Sequence, residues 1–294
     1  MSGSDLSAGD VSDNDVNDSD PAVPTRPPAA GPPTLPRRTL LVETVLVLGV
    51  SLGASVIWSV LSILRKVTAE TPLSAQTTAM NRSVTPDRPW LDLAHQLAGI
   101  ALALVPVLLA LHLLARDRTT SPRTGEGGHP IPPHRLMGLD LRRPWRDLLA
   151  GTVLAAAIGL PGLALYLAAR GLGLNTTVAP ANLTDVWWAV PVLVLAAAQN
   201  AVLEEVVMVG YLFRRWTQAG LGTWTVIGTS ALIRGGYHLY QGFGAFVGNV
   251  AMGLLLGWVY TRTRRVMPLV VAHTLLDVVA FVGYAVLADR VGWL

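Results

Sequence analysis

Two adjacent glutamates, Glu204 and Glu205, lie inside a stretch from Val186 to Phe213 that otherwise reads as lipid-embedded helix. A carboxylate at the bilayer centre costs about 2.5–3.5 kcal/mol on insertion scales, so two side by side require partners that face the bundle interior or water. Residues able to serve follow in the chain: Arg234 and His238, then His273 and Asp277. Each of these pairs is spaced by four, as are Asn200 with Glu204 and Glu205 with Val209, and that spacing puts two side chains on one face of a helix. Three helices thus each present a polar stripe. At a rise of about 1.5 Å per residue, Glu204 lies about 16 Å from Arg215, His273 about 12 Å and Asp277 about 18 Å from Arg265, and His238 about 22 Å from Thr223. All four fall near the middle of a membrane. Carboxylates and imidazoles gathered there suit acid–base chemistry on water, or ligation of a metal; the plainer reading is a buried ion-pair network that only fixes helix packing.

The composition describes the elements that must carry these groups. Of 294 residues, 51% are hydrophobic and 14% charged, and the mean hydropathy is positive, which marks a polytopic membrane protein. The absence of cysteine excludes disulfides, thiolate metal sites and a cysteine nucleophile. The net charge of +3 arises almost wholly from arginines flanking apolar runs, so no nucleic-acid surface is expected. Seven such runs predict an all-α polytopic bundle of about seven spans: Thr39–Leu64, Leu91–Ala115, Leu148–Ala169, Val186–Phe213, Thr223–Tyr240, Gly244–Tyr260 and Val266–Leu287. Asn249, in the sixth, is one more inward polar candidate. The bias towards arginine and alanine suggests a GC-rich bacterial genome and hence an inner-membrane location.

Three regions follow. Residues 1–36 are rich in Asp and Pro with few large apolar side chains, and are expected to form a disordered cytoplasmic tail without a cleavable signal peptide. Residues 37–147 hold two spans and a loop, about 116–147, whose Gly and Pro content reads as turns and linker. Residues 148–294 hold the polar stripes. With the N-terminus in the cytoplasm, the arginines concentrate on the inner side, as the positive-inside rule requires. The first loop on the other side, about 66–90, is polar and expected to be irregular.

Glu204-Glu205, the Gly-Tyr-Leu at 210–212, His238 in the next span and His273-x-x-x-Asp277 together resemble the CPBP family of intramembrane proteases, which includes the type II CAAX prenyl endopeptidases and the Abi proteins. The resemblance covers roughly residues 140–290. Its motifs are Glu-Glu-x-x-x-Arg, Phe-x-x-x-His and His-x-x-x-Asn or Asp, and two positions depart from them: Val209 stands at the arginine and Arg234 at the phenylalanine. The resemblance implies peptide-bond hydrolysis on a peptide or protein substrate in or at the membrane. Glu204 and His238 would activate water and His273 with Asp277 would face the oxyanion, with Glu205 counted among the catalytic residues and Arg234, Asn249 and Asn200 as supporting ones; Asp277 could instead hold His273 in one tautomer. A glutamate base, a histidine beside it and donors fixed in a dry pocket are chemically suited to those roles. Because Arg234 faces the same way as His238, it is expected to bring Glu205 the cation that position 209 lacks.

The cofactor expectation is none, or zinc held by His238, His273 and Glu204, since catalytic zinc takes three protein ligands and a water. No His-Glu-x-x-His motif is present. Outside proteolysis, the same residues fit a non-catalytic scaffold or immunity-type protein of the same fold, or a proton or metal transporter. The last is disfavoured because the polar residues occupy one half of the chain, whereas transporters repeat them in two.

Overall fold

Prolines and glycines punctuate the helices. In the computed structural model, which describes residues 35–116, 131–179, 183 and 186–287 with side chains through 283, proline stands in the first turn of four helices. There its missing N–H costs nothing. The helices in order are α1 Arg37–Gly49, α2 Leu52–Val67, α3 Pro89–Ala103, α4 Val105–Ala115, α5 Pro133–Leu136, α6 Pro144–Gly171, α7 Ala189–Glu204, α8 Leu212–Gln218, α9 Thr223–His238, α10 Phe243–Thr263 and α11 Met267–Leu287. The expected tail lies outside the described residues as far as position 34.

This is an all-α membrane bundle in which each of the seven apolar runs is helical, some of them long enough to cross by themselves and the others shorter. Among the described residues, four stretches are long and apolar enough to cross: Pro89–Ala115, Pro144–Gly171, Ala189–Gln218 and Phe243–Thr263. A fifth forms if α1 and α2, bent by 53° at Gly49–Ser51, count as one span. Helix α9 falls short with 16 residues, and α11 is a shorter apolar helix through Gly283. The reason is position in the bundle. The Ala189–Gln218 stretch has 61% of its most apolar window buried, against 6% for α6. α7 and α8 therefore form the centre and α6 meets lipid, while α9 can afford Arg234 and several glycines because it is enclosed.

Small residues let α9 approach its neighbours. A Cβ on Gly235 would stand 2.5 Å from Val250 Cγ2, and one on Gly253 would stand 2.8 Å from Ala231 Cα. Close backbone approach of this kind is how membrane helices gain packing energy without a hydrophobic driving force between them.

Both expected loops carry structure. Residues 77–79 (β1) pair in parallel with 177–179 (β2), the one two-stranded ladder among the described residues, in a loop expected to be irregular. Lys66, at the end of α2, ties this ladder to the turn after α9 by donating to Thr78 Oγ1 at 2.5 Å and to the Tyr240 carbonyl at 2.6 Å. At the opposite end, the segment after α5 is no linker. Met137 is buried against Gly210, and the amides of Val266 and Met267 donate to the carbonyls of Met137 and Gly138. Gly138 holds φ +68°, the left-handed turn that makes this docking possible. Arg265 closes the corner with bonds to Asp147 at 2.6 Å and Asp140 at 3.1 Å.

Candidate active site

The two glutamates sit where the central helix changes its winding. Residues Glu205–Tyr211 form a π-helix rather than the continuous α-helix expected, and the Leu212 amide donates to the Val207 carbonyl, five residues back. Short π segments are frequent at functional sites, where the wider turn re-aims side chains and loosens the carbonyl ladder. Here Ser230 of α9 donates to the Met208 carbonyl at 2.9 Å, satisfying a polar group within the widened turn. Gly210 leaves room for the Met137 sulfur, 2.7 Å from where a Cβ would stand. The whole stretch from Glu205 to Tyr211 is buried.

Around it, three helices converge as their polar stripes predict. From α9, Arg234 reaches Glu205 Oε1 with Nη2 at 2.6 Å and Glu204 Oε2 with Nη1 at 3.4 Å. The cation for Glu205 thus comes from the neighbouring helix, while Val209 lies in the apolar core. From α11, His273 Nδ1 lies 2.9 Å from Glu205 Oε1, so the Nδ1–H donates to a carboxylate. His273 Nε2 then faces Glu204 Oε2 at 4.0 Å and Asp277 Oδ1 at 3.7 Å. It is Glu205, not Asp277, that holds the tautomer of His273. Asn200, one turn before Glu204, meets the Asp277 carboxyl. His238 Nε2 stands 3.8 Å from Glu204 Oε1, and neither ring nitrogen has a hydrogen-bond partner among the described residues.

One residue in this cluster went unread in the sequence. The Tyr237 hydroxyl donates to Glu204 Oε2 at 2.6 Å from a position 5% exposed. Its only signal was its place three after Arg234, which shares a helix face. Asn249, by contrast, turns back to the Ala245 carbonyl at 3.0 Å and lines a cavity of about 360 Å³ between α6 and α10, together with Asn175 and Gln241. It has no bond to the cluster.

For the zinc set, no three His, Asp or Glu side chains among the described residues are grouped to hold one metal ion. Glu204 and Glu205 are instead engaged by a guanidinium that carries its charge permanently.

The apolar helices, with acids, histidines and an arginine buried together among them, are those of a multi-pass membrane protein. Residues 186–279, about a third of the chain, match the family model described as type II CAAX prenyl endopeptidase Rce1-like, a match that supports a likeness to the CPBP/CAAX proteases. It contains every residue of the cluster, from Asn200 to Asp277. No curated protein and no solved structure matches the chain. The family is one of intramembrane CAAX-type endopeptidases.

Proposed function

We propose that the protein hydrolyses peptide bonds of membrane-associated peptides or proteins, with Glu204 and His238 as the pair that activates water. The observation that carries this reading is the separation of 3.8 Å between Glu204 Oε1 and His238 Nε2. One water at about 2.8 Å from each, an ordinary hydrogen-bond length, bridges two atoms so spaced. The water oxygen attacks the scissile carbonyl carbon as its proton passes to Glu204. The tetrahedral intermediate then collapses with cleavage of the C–N bond, and that proton returns to the leaving amine. His273 and Asp277 line the opposite side, where the carbonyl oxygen gathers charge. Glu205 takes no proton in this scheme: bound by Arg234 and His273, it orients both.

A metal-free reaction accords best with Arg234. A cation 2.6 Å from Glu205 and 3.4 Å from Glu204 opposes a dication at the same carboxylates. The arginine distribution supports an N-terminus in the cytoplasm, and the composition supports a bacterial inner membrane.

The test is cleavage of a quenched fluorescent peptide library by purified protein in detergent, wild type beside Glu204→Gln, with and without chelator. Cleavage lost in Glu204→Gln and retained with chelator is expected. Loss on chelation with rescue by zinc would move His238, His273 and Glu204 to metal ligands. Absence of cleavage by folded wild type would favour a scaffold of the same fold.

A further inference from the structure

The two oxygens of Glu204 have unequal surroundings. Oε2 receives the Tyr237 hydroxyl at 2.6 Å and has Arg234 Nη1 at 3.4 Å and His273 Nε2 at 4.0 Å. Oε1 has one neighbour of this kind, His238 Nε2 at 3.8 Å. A carboxylate turns about its last torsion with a broad, roughly two-fold preference, so some contact must select which oxygen faces which group. Arg234 does not make that selection, because its Nη1 has no hydrogen bond while its Nη2 is committed to Glu205. The short bond in the cluster that reaches Glu204 is the one from Tyr237.

Tyr237 also touches the other member of the pair. Its ring packs on that of His238 with centroids 4.9 Å apart and planes inclined at 46°. Neither nitrogen of His238 has a hydrogen bond among the described residues, which leaves this ring contact to orient the imidazole beside the 3.8 Å approach to Glu204.

We propose that Tyr237 is a positioning residue: its hydroxyl holds Glu204 Oε2 so that Oε1 alone is the base oxygen, and its ring sets the plane of His238. If Oε2 lost its donor, Nη1 of Arg234, already 3.4 Å from it, would draw the carboxylate into a tighter, hydrogen-bonded ion pair and weaken it as a base. One turn of α9 therefore delivers a cation to Glu205, a hydroxyl to Oε2 and an imidazole to Oε1. The inference rests on the hydrolytic reading above and names the device within it.

The experiment compares wild type, Tyr237→Phe and Tyr237→Leu by peptide hydrolysis and by the infrared carboxylate band that disappears in Glu204→Gln. Tyr237→Phe keeps the ring and loses the donor. It is expected to shift the Glu204 band and to lower kcat by about 10- to 100-fold, the range that misplacement of up to about 1 Å causes, with KM within about two-fold of wild type. Tyr237→Leu, which loses the ring as well, is expected to fall further in kcat. A change in KM alone, or an unshifted band with hydrolysis intact, overturns the role of Tyr237 and leaves the hydrolytic reading standing. A band shifted in Tyr237→Phe, beside a folded wild-type protein that hydrolyses nothing, overturns the hydrolytic reading and with it Oε1 as a base.

Discussion

Replacing Arg234 by methionine removes the one positive side chain of fixed charge from between two buried carboxylates. Glu204 is 7% and Glu205 0% exposed, and the guanidinium lies 2.6 Å from one and 3.4 Å from the other. Without it, Glu205 keeps only the Nδ1–H of His273 at 2.9 Å, and its Oε2 already has no hydrogen-bond partner. Breaking a buried pair by deleting one partner costs about 3–5 kcal/mol, because an uncompensated charge is left in a low-dielectric site. The neutral exchange Glu205→Gln removes that charge, so the double variant Arg234→Met/Glu205→Gln should recover at least about 2 kcal/mol, a coupling within the range found for contacting pairs. Equilibrium unfolding of the four proteins in detergent measures the cycle. A cost below about 1 kcal/mol for Arg234→Met, or strict additivity in the double variant, would refute the view that this arginine neutralises the site.

Three further outcomes are expected. Gly235→Ala should destabilise by about 1–3 kcal/mol through overpacking, since its Cβ would meet Val250 and the Phe246 carbonyl at 2.5 and 2.9 Å, while Gly228→Ala, with open space around it, should be neutral or mildly stabilising in the same unfolding assay. His238→Ala should abolish hydrolysis with little change in melting temperature, because its ring nitrogens bond to nothing in the described fold, whereas His273→Ala should lower both by leaving Glu205 short of a donor. The third concerns pH at the α10–α11 corner. Burial pushes the Asp140 carboxyl up, but the Arg142 amide and the Arg265 guanidinium outweigh it and hold the group below the usual carboxylate range. A carboxyl depressed in the folded state stabilises above its unfolded value of about 3.9, and that contribution is lost as pH falls through the folded value. Stability of wild type should therefore decline below about pH 4, and Arg265→Ala should show a shallower decline in a melting-temperature series against pH.

Much of the site was legible because charge in lipid is costly. Glu204, Glu205, Arg234, His238, His273 and Asp277 were each conspicuous in apolar runs, and the spacing of four brought His273 beside Asp277 and placed Arg234 and His238 on one flank of α9. The same rule does not carry over unchanged to Glu205 and Val209. It assumes an α-helix, and this stretch is wound as a π-helix held by Ser230 and by the Met137 contact at Gly210, both distant in sequence. Tyr237 was missed because a tyrosine in a membrane run is ordinary, and its importance comes from one hydroxyl reaching another helix.

What the sequence determined by itself is therefore the helical membrane class and the set of residues too polar to face lipid, since both follow from transfer cost and local periodicity. The tertiary structure decided the rest. It enclosed α9, which is why that helix can be short and carry a buried arginine. It paired β1 with β2 and docked Met137 under the central helix, contacts across about a hundred and about seventy residues that no local pattern encodes. It also chose the partners within the cluster: Glu205 for His273, Arg234 for Glu205 and Tyr237 for one oxygen of Glu204. Those choices depend on distances of a few tenths of an ångström between helices, which sequence spacing along any one of them does not contain.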